Sequence, residues 1–316
     1  MSKMRRNRQE PSGVVAPPPS GFHSLLVAVD LTPSSDRVLG RVPRLPLTDD
    51  ARVTLLHVVP ESLPAGDQRR AERDAKKALA TEARHLISQL GKKVRVDTRV
   101  RVGAAAKEIA ECSDELEAEL VVMGRGTGRG LRAALLGSTA ERVVRRARRP
   151  VLVVRLPARS PYSRPALALD RDEAAEEVVR LTLLTLPPPR PRVLVFHAFS
   201  VPYEGMIYPS LSEDDAQEQR AELRSRAVHE LSTLVSGALA KAGVAREDEP
   251  PWSTQVLHGS PRLVIGKAIQ NAEPDLLVLG THGYSGAAYV LLGTVAGDLL
   301  RAAPCDVLIV PPPSHR

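Results

Sequence analysis

Four glycines, a histidine and five hydroxyl side chains fall within Gly280-Thr-His-Gly283-Tyr-Ser-Gly286-Ala-Ala-Tyr-Val-Leu-Leu-Gly293-Thr294. An apolar run from Leu276 to Leu279 precedes this stretch and reads as a buried parallel strand ending at Gly280. Thr294 to Ala303 follows and reads as a helix with Thr294 at or near its N-cap. A strand, a glycine loop and a helix N-terminus together suit an anion. Glycine lets the backbone approach a ligand closely, and the free N–H groups of the first turn and the helix dipole favour phosphate. The same construction stands 156 residues earlier, as Gly124-Arg-Gly-Thr127-Gly-Arg-Gly130-Leu-Arg-Ala-Ala-Leu-Leu-Gly137-Ser138. Neither loop is a Walker A, because no Gly-Lys-Ser/Thr follows, and the full G-x-G-x-x-G dinucleotide fingerprint is absent.

The elements that must position these loops also recur. Ser24 to Asp30 reads as a first strand ending in an acid, followed by a helical stretch from Pro33 to about Arg44. Arg52 to Val59 reads as a second strand containing His57. Gly66 to Leu90 has Leu79, Leu86 and Leu90 on one stripe, predicting a long amphipathic helix that Gly91 stops. Lys93 to Val102 is a third strand, Ala104 to Leu116 a helix, Leu120 to Met123 a fourth strand, Ser138 to Arg149 a helix and Pro150 to Val154 a fifth strand. Then Pro165-Ala-Leu-Ala-Leu-Asp170 repeats the first strand at an offset of 140, as Arg192-Val-Leu-Val-Phe-His197 repeats the second. Val307 to Val310 repeats Val151 to Val154 at 156, so 16 extra residues lie between the second and fourth strands of the second copy. Part of them is expected at Phe199 to Ser212. A repeat of about 150 residues is a duplicated domain, not a solenoid unit. Alternating strands and helices imply a parallel sheet covered on both faces, with ligands at the C-terminal strand ends. If the first and fourth strands are neighbours, Asp30 faces the Gly124 loop and Asp170 the Gly280 loop.

Composition narrows the function classes. Residues 1–160 carry 30 Lys and Arg against 18 Asp and Glu, residues 161–316 carry 14 against 19, so the halves are of opposite sign. Aromatic residues make up 3% and do not interleave with the basic runs, which argues against nucleic-acid binding. No apolar run approaches the roughly 18 residues of a membrane span. Residues 1–20, with Arg5, Arg6, Arg8 and Pro17 to Pro19, lack the apolar core of a signal peptide and read as a disordered basic tail, giving a cytoplasmic expectation. Cys112 and Cys305, each in apolar surroundings, read as buried free thiols.

The first strand ending in Asp, the second ending in His-Val or His-Ala, and the loop G-x2-G-x9-G-[S/T] before a Val-Leu-Val-Val-like strand resemble the universal stress protein family in its tandem form. The resemblance covers nearly the whole chain after residue 20. It implies an α/β fold: two tandem Rossmann-like five-stranded parallel-sheet domains of strand order 3-2-1-4-5, expected here at 21–157 and 158–316, paired through their last strands as an internal pseudo-dimer, with association of further copies open. It also implies ATP or another adenine nucleotide as ligand, with magnesium held by phosphates and water. By position, Asp170 corresponds to the acid near ribose and adenine and Ala198 to a backbone adenine contact. Gly280, Gly283, Gly293, Thr294 and Val295 correspond to the ribose and phosphate loop. In the first copy Asp30, Val58, Gly124, Gly137 and Ser138 match, but Thr127 stands where the second motif glycine belongs, and a β-branched residue at positive φ is strained.

Other readings stand beside this one. Asp30 and Asp170 also suit helix capping. His57 and His197 suit satisfied core histidines better than catalytic bases. Ser138 and Thr294 have no partner base at motif spacing and no surrounding G-x-S-x-G, so they read as phosphate-binding caps and not nucleophiles. The expected function is a nucleotide-dependent sensor or regulator in the stress response. The alternatives are a nucleotide-free interaction scaffold and a slow ATPase or phosphotransferase.

Overall fold

The structure is a computed structural model, and it describes residues 21–91, 93–126, 139–172, 174–200, 213–281 and 292–313. Ten strands form one sheet: β1 (Phe22–Ala28), β2 (Leu47–Val59), β3 (Arg95–Val102), β4 (Leu120–Gly124), β5 (Val151–Val154), β6 (Pro165–Ala168), β7 (Val193–Phe199), β8 (Trp252–His258), β9 (Leu276–Gly280) and β10 (Asp306–Val310). The helices are α1 (Ser35–Arg41), α2 (Ala65–Leu90), α3 (Ala105–Glu115), α4 (Thr139–Arg146), α5 (Ala175–Thr185), α6 (Glu213–Lys241), α7 (Pro261–Ala272) and α8 (Thr294–Ala302).

The strands run β3-β2-β1-β4-β5-β10-β9-β6-β7-β8. Each half therefore has the order 3-2-1-4-5, and every pairing within a half is parallel. Among the described residues the one antiparallel pairing joins the halves, with Leu308 opposite Leu152. The central strands are near-continuous runs of Val, Leu and Ile because both faces are covered. One face packs on α1, α2, α5 and α6 through Val38, Leu79, Val178 and Leu231, and the other on α3, α4, α7 and α8 through Ile109, Val143, Ile265 and Leu299. In α2, Ala75, Leu79, Ala83 and Leu86 form the buried stripe, and Gly91 ends the helix at φ 84° with its N–H on the Ile87 carbonyl.

The register locates the insertion more closely than the sequence did. His57 pairs with Val100 and His197 with Val256, so the offset has already changed from 140 to 156 by the third strand. All of the extra length thus lies between β7 and β8, where α6 has 29 residues against 26 in α2. Val201 to Ser212 lie outside the described residues. The sheet edge of the first domain turns at Gly103 and that of the second at Gly259, an equivalent pair with φ of 154° and 127°. Their N–H groups bind the Val59 and Phe199 carbonyls, at 3.0 and 2.9 Å, and steer α3 and α7 back over the strand ends.

The seam between the halves contains a buried polar cluster. The Asp306 carboxylate is fully buried. Its Oδ1 accepts from the backbone N–H groups of Arg155 (2.7 Å) and Leu156 (2.8 Å), and its Oδ2 accepts from the Tyr162 hydroxyl (2.7 Å). Arg41 Nε lies 3.3 Å from Oδ2, and its guanidinium sits 4.0 Å above the Tyr162 ring centroid. Burial and the Asp306 charge push the Tyr162 phenol well above its ordinary value, so it remains a hydrogen-bond donor. Arg155 spans the seam as well, donating to the Ala303 and Leu300 carbonyls at the end of α8. Both cysteines are buried and free, and burial pushes the Cys305 thiol up to about 12, which leaves it inert.

Candidate functional site

Among the described residues, a cavity opens at the C-terminal strand ends of each half. The first, of about 270 Å³, lies between Val29 and Asp30 after β1, His57 and Val58 on β2, Gly124 and Gly126 after β4, and Ala105 and Ile109 on α3. The second, of about 460 Å³, lies between Leu169 and Asp170, His197 and Ala198, Gly280 and Thr281, and Pro261 and Ile265 on α7. Gly293, Thr294 and Val295 complete it. Parallel pairing of β1 with β4 and of β6 with β9 is what brings each acid across from its glycine loop. The walls from α3 and α7 escaped the sequence reading. The recurring glycines Gly103 and Gly259 were the available signal, since they turn those helices inward.

Each acid is positioned by a histidine on the neighbouring strand. His57 Nδ1 lies 2.9 Å from the Val29 carbonyl and His197 Nδ1 2.9 Å from the Leu169 carbonyl. A carbonyl only accepts, so Nδ1 carries the proton in both rings. The N–H groups of Val29 and Leu169 bind the Leu56 and Phe196 carbonyls, each at 2.9 Å. The residue before each aspartate is therefore held on both sides, which fixes where the carboxylate starts. The histidines are structural latches at the cavity wall.

The two carboxylates have different surroundings. Asp30 Oδ1 accepts from Thr32 N (3.1 Å), Thr32 Oγ1 (2.7 Å) and Ser35 Oγ (2.7 Å). Its partial burial acts to raise the pKa, but the bonds from Ser35 and Thr32 outweigh burial and hold it below the usual value. Asp170 accepts one hydrogen bond among the described residues, from Arg171 N at 2.8 Å. The Arg171 guanidinium is turned to Glu230 on α6. Asp172 also lines the second cavity, and burial first, then the neighbouring Asp170 charge, raise its pKa to about 6. Backbone donors at Ala174 and Ala175 only partly offset this.

The sign of this shift gives a testable consequence. Asp172 titrates near 6 when folded and near 3.8 when unfolded, so the folded chain holds the extra proton between those values. Stability therefore falls as pH rises through that window, and the unfavourable charge is fully present above it. Asp172→Asn is expected to raise the thermal midpoint at pH 7.5 and to change it little at pH 4. The adjacent Arg171 does not reverse the sign, because its guanidinium is ion-paired with Glu230. Melting curves at the two pH values check this, and an equal shift at both contradicts it.

The second glycine loop is fastened at both ends. Thr281 N donates to the Val310 carbonyl (3.0 Å) and Gly293 N to the Thr281 carbonyl (2.8 Å). Thr294 is the first residue of α8 and Gly293 its N-cap, with no side chain capping the helix. Its first-turn N–H groups are therefore available to an anion. In the first half Gly126 adopts φ 77°, where a β-carbon would meet Thr139 Cβ at 3.0 Å. Thr127, Gly137, Ser138, His282, Gly283 and Gly286 lie outside the described residues.

Comparison with known proteins bears on these duplicated cavities. The universal stress protein family model matches twice, at residues 21–155 and 161–311. The chain belongs to the universal stress protein family. A universal stress protein of Mycolicibacterium smegmatis is 26% identical over 324 residues, covering 92% of this chain and 97% of that protein. One from Synechocystis is 31% identical over 157 residues, 47% of this chain and 97% of its own length, as a single-domain relative of a tandem chain would be. Among solved structures, a universal stress protein from Archaeoglobus fulgidus superposes with a TM-score of 0.65 at 15% identity, covering 93% of this chain and 97% of that one. That likeness extends the tandem universal stress protein fold across both halves.

Proposed function

We propose that this tandem universal stress protein binds an adenine nucleotide in its two cavities and acts in the cytoplasm as a nucleotide-dependent sensor or regulator of the stress response. The observation that carries this reading is the second cavity, where a sparsely bonded carboxylate faces an uncapped helix N-terminus across about 460 Å³. That volume falls in the range of small-molecule sites. Asp170 would accept from ribose hydroxyls and the Ala198 backbone would meet the adenine edge. Gly280, Gly293, Thr294 and Val295 would hold phosphate oxygens through N–H groups and the Thr294 hydroxyl. In the first cavity Asp30, Val58 and Gly124 would serve in the same way.

Among the described residues no three His, Cys, Asp or Glu side chains converge as a metal site. Magnesium would therefore be held by phosphate oxygens and water, with the protein fixing the phosphates. A described helix long and apolar enough to cross a membrane is absent. Purified protein, denatured and examined by mass spectrometry, is expected to release an adenine nucleotide in stoichiometric amount. Protein that carries none, and takes up none when incubated with ATP, contradicts the proposal.

A further inference from the structure

The two cavities have equivalent walls, yet they differ in charge: Arg125 of the first glycine loop stands where Thr281 lines the second cavity, at the offset of 156, and the second cavity gains an acid. Asp172 stands in the second where Thr32 stands in the first, at the repeat offset of 140. Both side chains do the same local job. Thr32 Oγ1 accepts from Ser34 N at 3.3 Å, and Asp172 Oδ1 accepts from Ala174 N at 3.1 Å, two residues on in each case. A neutral hydroxyl is thus sufficient for the turn. The turn N–H groups of Ala174 and Ala175 stabilise the Asp172 charge only in part, and it sits unfavourably beside Asp170 in a partly desolvated place. A charge that weakens the fold and lines a cavity points to the ligand. Among the described residues Asp170 and Asp172 have no ion-pair partner, whereas Glu230 pairs with Arg171 and Glu176 with Lys241.

We infer that Asp172 makes the second cavity select against negative charge on the ligand's phosphate tail, so that it favours an adenine nucleoside, a monophosphate or a cation-neutralised polyphosphate over a free polyphosphate. The first cavity, with Thr32, has no such selection. A unit charge within one cavity of a tail carrying several acts over a few ångströms at an interior dielectric well below that of water, so the discrimination is large enough to measure. This inference rests on the proposal that the cavities bind adenine nucleotides.

The test is isothermal titration at pH 8, in excess chelator, with adenosine, AMP, ADP and ATP. Asp172 lines only the second cavity, so the difference between wild type and Asp172→Asn reports that cavity. Asparagine retains the acceptor for Ala174 N. The ATP-to-adenosine affinity ratio is expected to rise about tenfold in Asp172→Asn, with adenosine itself changed less than about twofold. Thr32→Asp, the reciprocal change, is expected to lower the ratio for the first cavity. If ATP and adenosine change in parallel, or neither changes, Asp172 is a structural residue and the inference is overturned while nucleotide binding stands. If wild type binds none of the four, the nucleotide reading itself fails and this inference with it.

Discussion

Asp306→Ala is expected to destabilise the protein by about 3–5 kcal/mol, the range for removing one partner of a buried ion pair. The reasoning follows from what the carboxylate leaves behind. The Arg41 side chain is 4% exposed and would keep its charge without its counter-ion. The Tyr162 hydroxyl and the N–H groups of Arg155 and Leu156 would each lose an acceptor. Asp306→Asn preserves shape and part of the hydrogen bonding, and is expected to lose about half as much. Tyr162→Phe removes one hydrogen bond, about 1 kcal/mol. Denaturant midpoints of the three variants check the ordering. An Asp306→Ala protein within 1 kcal/mol of wild type would show that the seam depends on β5 and β10 packing alone.

Asp170→Ala is expected to weaken adenine nucleotide binding at the second cavity by roughly 10- to 100-fold, the consequence of losing hydrogen bonds to a charged acceptor at about 1.5–3 kcal/mol. Asp170 has little internal bonding to relinquish, so its loss falls on the ligand. Asp30→Ala is expected to have a smaller effect on binding and a larger one on stability, because Thr32, Ser34 and Ser35 would lose their common acceptor. Calorimetric titration of the two single variants separates these outcomes. Equal affinity in Asp170→Ala and wild type would remove Asp170 from the site.

Much of this arrangement was legible in the residues themselves. Apolar runs such as Leu276 to Leu279 identify buried parallel strands, and the offset between Asp30 and Asp170 identifies a duplication before any coordinates. The seam was less legible. Asp306 occupies the place of Pro150 in the first copy, and Tyr162 lies in the linker, so neither belongs to a repeated pattern. Their meeting with Arg41 depends on antiparallel pairing of β5 with β10, a contact between segments about 150 residues apart that no local periodicity encodes. The difference between the two acids was hidden for a similar reason. Asp30 and Asp170 match in sequence, but Thr32, Ser34 and Ser35 become Asp172, Ala174 and Ala175 in the second copy. Only the turn geometry shows that those hydroxyls converge on one carboxylate. Thr127, which stands where the second motif glycine belongs, lies outside the described residues.

We propose that the duplicated cavities hold adenine nucleotide through Asp30, Asp170 and the N–H groups that follow the glycine loops. Equilibrium dialysis of the full chain against labelled ATP, with and without magnesium, tests it most directly when run beside the Asp30→Ala/Asp170→Ala double variant. Saturable binding approaching two nucleotides per chain, strongly weakened in the double variant, is the predicted result. Absence of saturable binding in wild type, or undiminished binding in the double variant, would contradict it.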